Sequence, residues 1–462
     1  MAHIFLQNCF TFCLGFILVI SFVLRHSEAS ESETVWQTLH KMIRKKALQR
    51  IPSASEGNEG CKMLLRDSPL LQQMFTNLVP YIKIQIKVCS RFSCIPFTWD
   101  EEQRRIGISK SRWKLRFCKF QVIIHWIYTL AMLAYFVTPG SMKLNKMSNK
   151  LLGFVFLSCL IVTMFMQSVF WQKRTEAIAL WKAFSDIEEY YIDPSAVKKS
   201  KRDPMSLVMI LLGICTSFGL PGFMCTMLLV DPCKPPHLGY ILYKVSLETC
   251  MQPKYHIRIL LLMFDTWIWA IAISSACYYV FHCMFLGLRC LDLYMRLLIT
   301  GTRNPLQRIF RTQDSKDQVV FRLYREFQIV VKFYNKVFQT VFIPTLVATA
   351  IFVIIICLYT CIKLHKVIPM PGFAFFPLLS TDGFSVIFIS RIASIVYIKS
   401  RFFVTMVQNS SKNSRRTWFR KNAASLDKLK IRFGSGNFID EMTPLVFLDF
   451  SFSQTVSLML LT

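Results

Sequence analysis

Seven long apolar blocks divide the chain, at roughly 120–138, 151–171, 205–230, 259–287, 338–362, 373–398 and 443–462. Each is long enough to cross about 30 Å of hydrocarbon as a helix rising about 1.5 Å per residue. The first (FQVIIHWIYTLAMLAYFV) and the fifth (VFIPTLVATAIFVIIICLY) hold no residue ionised at neutral pH, whereas the sixth carries Asp382 and Arg391. Blocks of this length need a bilayer. The pattern therefore predicts an all-α membrane protein, a seven-transmembrane-helix bundle. Ahead of the fifth block the pattern changes. Val320, Leu323, Phe327, Val330, Val331, Tyr334 and Phe338 recur at helical spacing, with Arg322, Arg325, Lys332 and Lys336 between them. This predicts an amphipathic helix that runs unbroken into the fifth span and projects well below the membrane. Its apolar stripe needs a partner, either a neighbouring helix or another subunit.

Loop charge gives the orientation. The segments 25–119, 172–204, 288–337 and 399–442 hold 18, 7, 10 and 10 Lys+Arg, whereas 139–150, 231–258 and 363–372 hold 3, 4 and 2. Basic loops stay in the cytosol, so the N-terminus is predicted to be cytosolic and the C-terminus extracellular, with long intracellular helix extensions. That is the reverse of a G-protein-coupled receptor. The chain then divides into an apolar N-terminal segment (1–30), a basic cytosolic region (31–119) and the seven-helix domain (120–462). Cys9–Leu24 is open to three readings: a signal peptide, an extra short membrane helix, or an artefact of start-site assignment. Val35–Ile51 reads as a membrane-surface helix or a solvated basic arm, and SASEGNEG (53–60) as a linker.

Composition agrees with this picture. Hydrophobic residues make up 53% of the 462 and charged residues 18%, and Phe occurs 41 times. The net charge of +28 invites a nucleic-acid reading, but the basic residues fall between apolar blocks and form no recognisable nucleic-acid module, so no nucleic-acid partner is expected. Most of the 16 Cys lie inside apolar spans, where Cys acts as a small hydrophobe. Cys233 and Cys250 share one loop and could pair as a disulfide if that loop faces outside.

Catalytic chemistry is hard to find. The eight His are scattered, and HExxH, GxSxG, GxGxxG and Walker patterns are all missing. No enzyme activity, metal or cofactor is expected. His125 and His282 read as interhelical hydrogen-bonders. Charges inside spans are costly, so Asp265, Asp382, Arg391 and Asp449 each require an explanation. Asp382 and Arg391, nine positions apart, lie on opposite faces of one helix; Arg391 can snorkel to the inner end, while Asp382 is the candidate to face a cavity. Trp267, Trp269, Tyr278 and Tyr279 on the fourth span are ligand-pocket candidates, against the alternative of ordinary packing.

The end of the chain carries the most specific pattern. SLDKLKIRFGSGNFID (425–440) leads into TPLVFLDFSFSQTVSLMLLT, with Leu429, Ile431, Gly434 and Phe438 setting the cadence. This resembles the carboxyl-terminal region of the arthropod gustatory and odorant receptor superfamily. PFTWD (96–100) and YREFQIVVKFYNKVF (324–338) are weaker likenesses. Of the superfamily's seventh-helix motif, Thr455 is present, but Val456 stands for the Tyr and Thr462 for the Gln. The resemblance implies a plasma-membrane cation channel of four like subunits, a homo- or hetero-tetramer, opened by a small-molecule ligand held in the outer half of the helices. The seventh helices would surround the pore, with Gln454, Ser457, Leu458 and Leu461 as pore-lining candidates. A secondary transporter is the alternative reading, and a G-protein-coupled receptor of opposite topology the third. The only N-glycosylation sequon, at Asn409, lies in a loop predicted to be cytosolic.

Overall fold

The computed structural model of the chain describes residues 75–102, 105–137, 147–191, 204–230, 237–239, 255–303, 313–366, 368, 372–412 and 415–461. The expectations for residues 1–74 and for Cys233 and Cys250 lie outside the described residues. The chain begins with α1 (Phe75–Phe92) and an antiparallel hairpin, β1 (Phe97–Asp100) with β2 (Arg105–Ile108), in which Phe97 pairs with Ile108 and Asp100 with Arg105. There follow α2 (Arg112–Val137), α3 (Met147–Gln172), α4 (Arg174–Tyr191), α5 (Pro204–Val230) and α6 (Tyr255–Cys277). A π-helical segment (Tyr278–Phe285) joins α6 to α7 (Leu286–Arg303). Next come α8 (Gln313–Phe338), α9 (Phe342–Lys363), α10 (Phe375–Lys412) and α11 (Thr417–Ala424). A two-residue ladder, β3 (Arg432–Phe433) with β4 (Asn437–Phe438), precedes the last helix, α12 (Thr443–Leu461).

Among the described residues, seven helical stretches are long and apolar enough to cross a membrane: α2, α3, α5, the α6–α7 rod, α9, α10 and α12. They fall on the seven apolar blocks of the sequence. Three of them overrun their blocks, because the helix continues into sequence that carries charge; α2 starts at Arg112, the rod reaches Arg303 and α10 reaches Lys412.

The helix ahead of the fifth block does not run into it. α8 ends at Phe338 and α9 starts at Phe342. The reason is Pro344. It has no N–H to give the carbonyl of Thr340, and its ring would clash with that carbonyl in a continuous helix, whereas the first turn of a new helix tolerates it. The break is stabilised from outside. Lys173 Nζ donates to the Lys336 carbonyl (2.8 Å) and to Thr340 Oγ1 (3.1 Å). Gln339 exchanges two bonds with Gly434: the Gly434 N–H donates to the Gln339 carbonyl (3.0 Å) and Gln339 Nε2 donates to the Gly434 carbonyl (2.7 Å). Gly434 has φ +65°, a backbone that Gly adopts without strain.

The apolar stripe of α8 is covered within the same chain. Phe327, Val330, Val331, Tyr334 and Phe338 are buried, and α4 is the helix packed most extensively against α8. The extended segment after α11 runs along another side of α8. Gln328 Nε2 and Tyr324 Oη donate to the Asp427 carbonyl, and Asn335 Nδ2 donates to that of Lys430. The Arg432 N–H donates to Asn335 Oδ1 (2.9 Å). These side chains do for the segment what a neighbouring strand would do in a sheet.

At the centre, Phe170 joins four elements. Its ring stacks on Tyr279 of the π segment (centroids 3.9 Å apart, planes at 9°) and meets Phe97 of β1, Phe338 of α8 and Phe342 of α9 within 6.3 Å. Such ring pairs add about 0.5–1.5 kcal/mol each beyond burial.

Candidate functional site

A cavity of about 150 Å³ lies between α3, α5, α6, the π segment, α9 and α10. Its wall is built from apolar residues at helical spacing, including Phe156, Met166 and Leu220 with Trp269, Phe281, Leu346 and Phe375. Thr163, Thr216, Thr349, Cys159, Cys277 and Asp382 are the polar groups on that wall. Phe156 ties the rings together, with centroids 5.2 Å from Trp269 and 4.4 Å from Phe375. Beside Asp382, a Cβ on Gly383 would come within 2.8 Å of Ile354, so α9 and α10 are in tight contact here. That contact fixes the height of Asp382 on the cavity wall.

The four aromatic candidates from the sequence separate. Trp269 lines the cavity. Trp267 is half-buried and packs on Phe264, with centroids 5.9 Å apart. Tyr278 and Tyr279 are fully buried in the Phe97–Phe170 cluster, where they pack rather than enclose space. Phe156, Phe375 and Thr349, unmarked in the sequence, take their place because α3, α9 and α10 converge on Trp269.

The intramembrane charges have distinct surroundings. Asp265 is buried and accepts the Tyr128 hydroxyl (3.0 Å) and the Leu238 N–H (3.0 Å), so it ties α2 to α6. Asp382 has a buried Oδ1 that meets no hydrogen-bond partner among the described residues. Arg391 is exposed and reaches the Glu441 carbonyl at 3.5 Å, and Asp449 is exposed on α12. His125 bridges helices through Gln167 Oε1 (2.8 Å), and Gln167 Nε2 donates to Ser275 Oγ (2.7 Å), linking α2, α3 and α6. His282 differs from its expected interhelical role. Its Nδ1 faces the Cys277 carbonyl of its own rod at 3.5 Å, because the wider π turn brings that carbonyl to it.

The last helix is the least covered of the seven. Pro444, Ser451, Thr455 and Leu458 face the bundle, while Val446, Phe450, Phe452, Val456 and Leu460 are exposed. Of the pore-lining candidates, Gln454, Ser457 and Leu461 lie on the exposed side, and Leu458 turns into the core with 4% exposure. Asp449, Ser453, Gln454 and Ser457 place polar groups on a surface that lipid alone would penalise.

This arrangement of helices is shared with solved structures. The chain superposes on the insect olfactory receptor OR5 from Machilis hrabei with a TM-score of 0.55, at 10% identity, over 84% of this chain and 99% of that one. The fold is that of an insect olfactory receptor. A second structure of that receptor, in complex with eugenol, gives a TM-score of 0.57 at 11% identity with the same coverage. No protein-family model and no curated protein sequence matches the chain. The olfactory receptor fold here is thus carried by helix placement, with few identical residues.

Proposed function

We propose that the chain is a chemosensory receptor of the insect olfactory and gustatory type, a non-selective cation channel of the plasma membrane opened by a small molecule. The observation that carries this reading is the olfactory receptor fold over 84% of the chain. Eugenol, bound in the second solved structure, is a small aromatic molecule. The cavity walled by Trp269, Phe156 and Asp382 is the candidate site in this chain, and its size suits a single ring.

The pore is proposed to form where four copies bring their α12 helices together. Each helix alone leaves a broad, partly polar surface uncovered, and Gln454, Ser457 and Leu461 would face the axis. Leu461 near the outer end would give an apolar constriction that gates by dewetting. The N-terminal region is cytosolic and the C-terminus extracellular on the strength of the basic loops. α10 supports the intracellular extensions, since its 38 residues span about 57 Å, nearly twice the hydrocarbon thickness.

The test is recording from membrane patches containing the full-length chain. Discrete unitary currents evoked by small odorants, and their block by a thiol reagent in Ser457→Cys but not in the parent, are expected. Saturable flux with no unitary events would instead point to a carrier. A glycan shift abolished by Asn409→Gln would reverse the topology.

A further inference from the structure

We infer that the cavity accepts a protonated amine with a small apolar body, held by Asp382; this rests on the reading of the cavity as the ligand site. A carboxylate within a span costs about 2.5–3.5 kcal/mol on insertion scales unless something compensates it. The other buried carboxylates of the bundle have their compensation. Asp265 accepts two hydrogen bonds, Glu188 on α4 accepts the Tyr294 hydroxyl (3.0 Å), and Asp292 on α7 is met by Arg289, Arg296 and Lys399. Among the described residues, Asp382 Oδ1 has no such partner and the cavity wall includes no Lys, Arg or His. A cation in the cavity would compensate the carboxylate that no described residue pairs.

The remaining wall suits an ammonium group. Phe156, Trp269, Phe281 and Phe375 put four aromatic rings on the cavity wall, and the face of such a ring attracts a cation within about 6 Å of its centroid. A carboxylate together with aromatic rings can hold a desolvated cation in an apolar site. The volume of about 150 Å³ sets the size, since a cavity of about that volume takes up benzene. A one-ring primary amine satisfies both conditions.

The experiment measures equilibrium binding of benzylamine and benzyl alcohol to the purified full-length protein at neutral pH. The two probes match in shape and differ in charge. Benzylamine is expected to bind at least about ten-fold more tightly, a gap of about 1.4 kcal/mol. Asp382→Asn is expected to close that gap to within about two-fold by weakening benzylamine alone, while Asp382→Glu preserves it. Should Asp382→Asn not fold, the ratio in the unmodified protein still decides. Equal affinities, or a gap unchanged in Asp382→Asn, overturn the amine inference and leave the cavity as ligand site. Failure of both probes to bind overturns the ligand site and the inference with it.

Discussion

Replacing Asp292 by Asn should destabilise this chain more than removing any one of its cationic partners. The Asp292 side chain has no exposure, and its carboxylate meets Arg289 Nη1 at 2.7 Å, Arg296 Nη2 at 3.2 Å and the Lys399 ammonium. Arg289 is 8% exposed, Lys399 19% and Arg296 40%. In Asp292→Asn three cations lose the anion they share, and breaking a buried pair from one side costs about 3–5 kcal/mol. Lys399→Met leaves the carboxylate with two partners and costs about 1.5–3 kcal/mol, the range for a hydrogen bond to a charged group. Arg296→Met acts on a pair open to water and costs about 0–1 kcal/mol. Unfolding of a polytopic chain is seldom reversible, so the rank order is the quantity to read. Size-exclusion chromatography after stepped heating of the detergent-purified protein gives that order as midpoint temperatures. If Asp292→Asn melted with the parent, or above Arg296→Met, the account of this cluster as a desolvated ion-pair node would be wrong.

Phe170→Ala should cost about 3–5 kcal/mol, because the ring is fully buried against Phe97, Tyr279, Phe338 and Phe342; the same heating assay checks it. Gly434→Val should cost about 1–2 kcal/mol from its φ of +65° and loosen the turn that Gln339 grips, read as faster proteolysis after Arg432. Asp440 starts the last helix, accepting the N–H groups of Met442 (3.1 Å) and Thr443 (2.9 Å) and the Thr443 hydroxyl (2.5 Å). The Thr443 hydroxyl is the main cause holding its carboxyl below the ordinary Asp range. A depressed folded value means the stabilisation is present above the unfolded value of about 3.9 and is lost as pH falls through the lower folded one. The midpoint difference between the parent and Asp440→Ala should therefore be flat from about pH 7 to pH 5 and shrink only below about pH 4. A difference that changed between pH 7 and pH 5 would assign the effect to another group.

The sequence makes the seven crossings legible because hydrocarbon imposes one requirement, about twenty apolar residues in a helix, that composition alone can meet. It shows the amphipathic stripe of α8 for the same reason. Pro344 is a visible signal for the break before α9, but the run from Val337 to Tyr359, which holds no ionised residue, obscures it until the outside contacts of Lys173 and Gly434 are known. The cavity was less legible. Inside a bilayer every face of a helix is apolar, so periodicity does not tell a lining residue from a packing one. Tyr278 and Tyr279 drew attention by residue type, yet the π turn commits them to the Phe170 cluster. Asp382 stood out because a charge in a span has few inexpensive explanations.

On the proposed reading, α10 joins ligand to pore. Asp382 lines the cavity, and Phe384, two positions along and so about 200° around the helix, lies with its ring 6.3 Å from Phe452 on α12. At the far end of α9, Lys363 Nζ reaches the Met459 carbonyl of α12 at 3.5 Å. The two helices that close one side of the cavity are thus the two that carry the last helix. A ligand can open the pore only by the difference in its affinity for the open and closed arrangements. An ammonium drawn between Asp382 and the rings of α3 and α6 would act on the position of α10 relative to those helices. Its pull would be felt at Phe384 because the contact at Gly383 leaves α9 and α10 little room to move independently.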